Sequence, residues 1–340
     1  HRAGNLLTFM SSSFQGVLAA RVVTAIGAVG TFNVLYPLIA EYSPAECRAG
    51  AKQVLGLAWN VGVLLLVAVA FTVRALPWQA LSLAVVPGIL ATAWLLKDLP
   101  ESPRFLWAKR RETEAADALG RVSRANGKGP QLNVKLISPP KEEATASAGA
   151  SLLQGLFGAE QRARTAVLMF VNFVSAAAYY GLCFAPVTGP GGGIYLNQLS
   201  ATVLEVPALL LAAPLADRLG RRWSLAGLLV ASTLSLGVLA AAPAGADLTG
   251  TPLRWAAALL ARCTGQAAAS LKWVVNAENF PTTSRGAGMA FMGICGSLGG
   301  CLGPLVFAGS SSPFALLGSL CLPAAACTLL LPETAKRELR

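Results

Sequence analysis

The chain contains a single histidine, at position 1, and only 13% of its residues are charged. Without internal histidine it lacks the commonest general base and metal ligand, and it has no G-x-x-x-x-G-K-[ST] loop to cradle a nucleotide phosphate. An enzyme reading has nothing to rest on, and neither a metal site nor a cofactor is expected. The seven cysteines show no ligand or disulfide spacing: Cys183, Cys263, Cys295, Cys301, Cys321 and Cys327 lie in apolar runs and Cys47 in a polar turn. Acidic residues are scarce, 16 against 27 Lys and Arg, for a formal net charge of +11. Those cations fall in short segments between apolar runs, so the charge reads as a topological bias and a nucleic-acid partner is excluded.

What the chain has in abundance is apolar sequence, at 54% of 340 residues, with a positive mean hydropathy. That is too little polar surface for a water-soluble globule of this size, and the partner it implies is a lipid bilayer. A helix rising about 1.5 Å per residue crosses a hydrocarbon core of about 30 Å in about 20 residues. The runs 53–73, 75–96 and 223–242 are the cleanest candidates, joined by 15–40, 165–185, 194–216, 255–277, 286–309 and 313–331. This predicts an all-α membrane protein with nine whole spans. A tenth, shortened span lies in residues 1–11, and because the chain begins with His1 it is expected to be incomplete at its N-terminus.

Orientation follows from the positive-inside rule. With the 98–163 loop cytoplasmic, alternation places 41–52, 217–222, 278–285 and 332–340 on the same side, and most of the Lys and Arg fall there. Arg74 and Arg254 are the cations of the outer turns, whereas Arg21, Arg262 and Lys272 lie inside spans. Counting along the spans puts Arg21 and Arg262 near outer ends, as anchors. Lys272, six residues before Glu278, is expected to lift its ammonium to the inner interface.

The two ends of the chain repeat each other. Glu41, Pro44 and Arg48 of "AEYSPAECRAG" align with Glu278, Pro281 and Arg285 of "AENFPTTSRGAG" at one offset, and "LPES" (99–102) is echoed by "LPET" (331–334). Two halves of parallel sense are implied, as in one large class of secondary transporters. The expected layout is an N-terminal bundle over 1–97, a cytoplasmic loop over 98–163, a C-terminal bundle over 164–331 and a tail over 332–340. Within the loop, "RRETEAADALGRVSRANGK" predicts an amphipathic helix with Ala115, Leu119 and Val122 on one face and a stop at Asn126-Gly127. The composition of 138–150 is that of a linker.

The loop "LADRLGRRWSL" (215–225), with Asp217, Arg218, Gly220, Arg221 and Arg222, resembles the cytoplasmic signature of the major facilitator superfamily. "LPESPRFL" (99–106), "AYYGL" (178–182), "GGGIYLNQL" (191–199), "LEVPA" (204–208) and "NAENFPTTSRGAG" (276–288) are, in that order, similar to motifs of the organic-ion transporters, solute carrier family 22. The resemblance implies the major facilitator fold: two pseudo-symmetric bundles, of whose twelve transmembrane helices about ten are present, spans 3–6 and 7–12. It also implies alternating access, a plasma-membrane location and a small organic ion or zwitterion as substrate. Two further readings stay open: a non-transporting relative that binds a ligand or partner at the membrane, and a sugar-porter-like carrier. No oligomeric state is indicated.

Two sets of residues are expected to carry function. Glu278, Arg285, Asp217, Arg218, Arg221 and Arg222, with Glu41, Arg48, Glu101, Arg104 and Glu333, are candidates for ion pairs that hold the cytoplasmic side shut, and Asp217 is expected to meet Arg285 or cap the span that begins there. Glu205, twelve residues before Asp217, lies about 18 Å from the cytoplasmic end, near mid-bilayer, where an ionisable group defaults to function. Tyr179, Ser297, Lys272, Trp59 and Asn172 are further cavity candidates. In the family's eleventh span, cation carriers resemble one another in an Asp, and anion carriers in an Arg, two residues before a Gly-Gly pair; here Ser297 precedes Gly299-Gly300, so that selector is neutral.

Overall fold

The computed structural model describes residues 2–42, 48–96, 101–108, 111–125, 127, 156–158, 161–185, 193–241, 252–280 and 285–334. The 138–150 linker, Pro44 and Pro281 lie outside them, and so do the side chains of Glu41, Arg48, Arg104 and Arg285. The described residues are helical and contain no strand. By contact they form two compact units, His1–Lys52 with Ala68–Thr145, and Gln53–Val67 with Ala146–Arg340.

The first unit contains α1 (Arg2–Met10), α2 (Phe14–Tyr42), α4 (Gln79–Ala84), α5 (Val86–Leu96), α6 (Pro103–Ala108), α7 (Glu112–Ala125) and the two ends of α3 (Arg48–Thr72). α1 lies so close on α2 that a side chain at Gly4 would run into Thr24. The run 75–96, expected as one span, is broken into α4 and α5 around Val85. Pro87 is the reason: it has no N–H to give Leu83 O, so the ladder loses a rung there. Among the 14 residues of α7, acids lie in the first turn and Arg124 in the last, which suits the helix dipole. Its Ala115 and Ala118 pack on Leu106 of α6, and Gly127, at φ +68°, follows its end. Tyr42 OH donates to the Glu101 carbonyl at 3.0 Å, joining the two motifs of this half.

The second unit holds α8 (Arg162–Phe184), α9 (Ile194–Leu219), α10 (Arg221–Ala240), α11 (Pro252–Asn279), α12 (Arg285–Gly309) and α13 (Pro313–Thr328). α8 packs most extensively on α12, and α10 on α13 and α11. The α8–α12 crossing is made by bare backbone: a Cβ at Gly299 would strike the Phe173 carbonyl, and one at Gly303 the Ala177 carbonyl. Small residues one turn apart let membrane helices approach this closely, where dispersion rather than water-driven burial holds them. The core of the unit is correspondingly rich in alanine, with Ala177, Ala216, Ala261, Ala268 and Ala324 buried.

Outward, the same helices present leucine and isoleucine. Leu211, Leu234, Ile294, Leu298 and Leu305 are all more than half exposed, an arrangement that suits lipid and not water. Among the described residues, five helical stretches are long and apolar enough to cross a membrane: Val54–Thr72, Arg162–Phe184, Ile194–Leu219, Arg221–Ala240 and Gly286–Gly309. Three shorter apolar ones, Phe14–Ala28, Gln79–Thr92 and Pro313–Thr328, accompany them. α11 is long enough at 28 residues but carries Arg254, Arg262, Lys272 and Glu278, the price of the sites described next.

Candidate functional site

At one end of the second unit, α9 gives way to α10 through one residue, Gly220, whose φ of +98° belongs to the glycine-only region. A Cβ there would also sit 2.5 Å from Glu333 Oε2. The turn lets the first N–H of α10 point at that carboxylate: Arg221 N donates to Glu333 Oε1 at 2.8 Å, an anion on a helix N-terminus. Arg222 Nε stands 3.8 Å from the same carboxylate. Arg221 reaches Asp217 at 2.8 Å and Glu278 at 3.5 Å, and Thr334 Oγ1 donates to Glu278 Oε2 at 2.6 Å.

The loop signature, the end of α11 and the "LPET" segment thus form one network. Asp217 is held by Arg221, its neighbour one turn on, while the residues leading into Arg285 and the Arg285 side chain, its expected partners for capping or pairing, lie outside the described residues. Arg218 is exposed. In the first unit Glu101 lies 3.7 Å from Arg111, an exposed pair of small energetic weight.

Deeper in the unit lies a second charged group. Glu205 (1% exposed) and Arg262 (5% exposed) form an ion pair at 2.9 Å, with Arg262 Nε donating to the same oxygen at 3.1 Å. Arg262 also donates to Gln198 Oε1 at 3.0 Å, and Tyr179 OH to Glu205 Oε2 at 3.3 Å. Gln198 and Glu205 are seven residues apart and share one face of α9. Pro207 lies two residues beyond Glu205 and leaves the Val203 carbonyl without its helical donor. A small pocket lined by Leu182, Asn197, Ala201, Trp255, Ala258 and Arg262 opens beside the pair.

Arg262 is therefore no outer anchor. α11 begins at Pro252, three residues earlier than the apolar run suggested, so Arg262 is ten residues, or about 15 Å, along the helix and opposite Glu205. A cation that deep cannot reach water and needs a partner, but its depth follows from where α11 starts, which the apolar run alone placed three residues late. Gln198 and Asn276 gave no signal in the sequence.

Lys272 also departs from expectation. It is 5% exposed, and a methyl group on Gly296 of α12 would lie 3.9 Å from its Nζ. Gly296 is eleven residues into α12, deeper than Lys272 itself, so the ammonium points towards the middle of the unit and not to the inner interface. Helical side chains lean towards the N-terminus of their helix, and the N-terminus of α11 is at the opposite end from Glu278.

One turn on, Asn276 and Asn172 exchange amide hydrogen bonds of 3.0 and 3.1 Å and lock α11 to α8. Asn172 is thus a buried tie between helices. Ser297 is exposed and donates to the Gly293 carbonyl at 2.9 Å. Trp59, on the Gln53–Val67 part of α3, is half exposed. Among the described residues no group of His, Cys, Asp and Glu could hold a metal ion.

Comparison with known proteins places these features. The profile described as "Sugar (and other) transporter" matches residues 2–340. Solute carrier family 22 member 1 of Bos taurus is 32% identical over 97% of this chain and 58% of its own length. Solute carrier family 22 member 13 of Homo sapiens is 31% identical over 97% of this chain and 59% of its own. The chain therefore spans under two thirds of the relatives it matches. Among solved structures, the proton:xylose symporter XylE bound to 6-bromo-6-deoxy-D-glucose superposes with a TM-score of 0.71, covering 99% of this chain and 81% of that one, at 18% identity. The partially occluded inward-open form of XylE from E. coli gives 0.69 at 16% identity. Identities this low speak for the fold alone, which is the major facilitator fold of a multi-pass membrane protein. With the profile covering nearly every residue, the chain is not an enzyme and belongs to the Sugar (and other) transporter family.

Proposed function

We propose that this chain is part of a secondary transporter that carries small organic ions or zwitterions across the plasma membrane by alternating access. The observation that supports this most is the buried pair of Glu205 and Arg262 at mid-span depth, tied to Tyr179 and Gln198. Ionised groups there cost several kcal/mol to bury and are found where a substrate or coupling ion must pass. Similarity to the solute carrier family 22 proteins supports organic ions as the cargo. On this reading the 98–163 loop and the C-terminus face the cytoplasm, and the half-buried pairs around Arg221, Glu278 and Glu333 are the bonds that form on closing and break on opening. Arg285, at the start of α12, belongs to the same gate.

The test is uptake in cells that express the protein at a measured surface level, with one organic cation, one anion and one zwitterion offered. Saturable uptake of at least one is expected, and Arg285→Ala should remove most of it at an unchanged surface level. Normal uptake by that variant would sink the gate assignment. Failure with all three probes would favour a non-transporting ligand-binding relative.

A further inference from the structure

The apolar helix α3 carries one polar side chain where its sequence gives it no local partner. From Val54 to Phe71 only Asn60 has an amide, a hydroxyl or a charge on its side chain, and it is also the only buried residue of that stretch. Turning inward removes the amide from lipid, and it should then meet a hydrogen-bonding group. It does not: Asn60 is 0% exposed, and neither its Oδ1 nor its Nδ2 has a hydrogen-bond partner among the described residues. A side chain with no exposed surface also leaves no room beside it for a bridging water. The buried amides of Asn172 and Asn276, by contrast, bond each other.

The neighbour of this part of α3 is α9, within the second unit. Gly56 lies one turn before Asn60 on the same face, and a Cβ there would come within 2.9 Å of Leu209 Cδ2. Leu209 is 1% exposed and stands one turn beyond Glu205 on α9, so the contact flanks the buried ion pair. Two opposed effects meet in it. The close seat of Leu209 on Gly56 gains dispersion and favours packing, whereas one turn away an amide stripped of water with nothing in exchange opposes it. An aliphatic side chain of similar size at position 60 would keep the first effect and remove the second.

We infer that Asn60 is a conformational wedge: its unpartnered amide raises the free energy of the packed α3–α9 contact, and parting of the two helices relieves it by letting water reach the amide. A contact that packed without penalty would hold one arrangement. One that is penalised lies closer in free energy to its open form, so a modest difference in binding between the two is enough to move the balance. The use of such a contact in a change of access rests on the carrier reading, whereas the bias itself rests only on Asn60 and its surroundings.

The experiment uses the whole chain in lipid nanodiscs without ligand and compares the parent with Asn60→Leu, which is close in volume, and with Asn60→Asp. Asn60→Leu should raise the melting temperature by about 2–6 °C, and Asn60→Asp, which places an acid in the same dry position, should lower it. Opening is read separately. Leu209→Cys puts a thiol under the contact, where a maleimide reacts once water reaches it, and mass spectrometry tells this label from those on the native cysteines. Adding Asn60→Leu to Leu209→Cys should slow that labelling at least about five-fold. A melting temperature for Asn60→Leu at or below that of the parent would overturn the inference by showing that the amide is satisfied. Unchanged or faster labelling would overturn it by showing that Asn60 does not control the contact. Neither readout involves a transported ion, so either failure leaves the carrier reading to be decided by uptake.

Discussion

Removing one member of the Glu205–Arg262 pair should cost far more than removing both. The two side chains are 2% and 7% exposed and make two charge-assisted contacts of 2.9 and 3.1 Å. At an effective dielectric of about 20, unit charges about 4 Å apart attract by about 4 kcal/mol, and breaking a buried pair from one side typically costs about 3–5 kcal/mol. Arg262→Ala strips Glu205 of its counter-charge and Gln198 of its donor; Glu205→Gln leaves a buried guanidinium facing a neutral amide.

Each single change should therefore lower stability by about 3–5 kcal/mol, whereas Glu205→Gln with Arg262→Met leaves no charge to strand. For the double variant to be more stable than either single one, the coupling energy of the cycle must exceed a single loss, that is, more than about 3–5 kcal/mol. For a domain of this size about 2–4 °C of melting temperature accompanies each kcal/mol. Thermal unfolding in nanodiscs should show both single variants about 8–15 °C below the parent and the double variant well above either. Single shifts below about 2 °C, or a double shift equal to the sum, would mean that the pair is hydrated and worth little.

Two further outcomes test the backbone. Gly303→Ala drives a methyl into the Ala177 carbonyl and should cost about 1–3 kcal/mol, with Gly299→Ala similar against Phe173; Gly227→Ala, with nothing within 4 Å, should be neutral or slightly stabilising by the same unfolding assay. Gly220→Ala forces a side chain into the φ +98° turn and onto Glu333, for about 1–3 kcal/mol, and adding Glu333→Ala should restore part of that loss; no recovery would show that the turn alone, and not the carboxylate, makes glycine necessary there.

How much of this could be read in the sequence depended on whether the relevant chemistry is local. The charged character of the Asp217–Arg222 loop and of Glu333 was legible because a repeated, charged element between apolar runs has few places to go, but their pairing through Gly220 was not. Glu205 was legible from depth alone. Arg262 was not, since its partner is 57 residues away and a difference of three residues in where α11 starts moves it from an interface to the interior. Lys272 shows the complementary failure: counting residues gives a depth, but the direction in which a long side chain leaves its helix follows from the lean towards the N-terminus, which a count ignores. The break at Val85 was written in Pro87, yet proline inside a membrane helix does not always interrupt it: α9 runs through Pro207 and Pro214.

The glycine crossing of α8 and α12 has a consequence for specificity. Gly299 and Gly303 hold α12 by its backbone against α8, and Ser297 begins two residues before that anchorage. A helix held by side chains shifts when they change size, and the geometry of a neighbouring position shifts with it. Here the register of α12 is set by backbone contacts at Gly299 and Gly303, so the place of residue 297 is fixed without reference to its own side chain. Exchanging Ser297 for an acid, a base or an aromatic should therefore change the side chain presented there while leaving its location unchanged, so that, on the proposed carrier reading, charge at this position is free to vary independently of the fold.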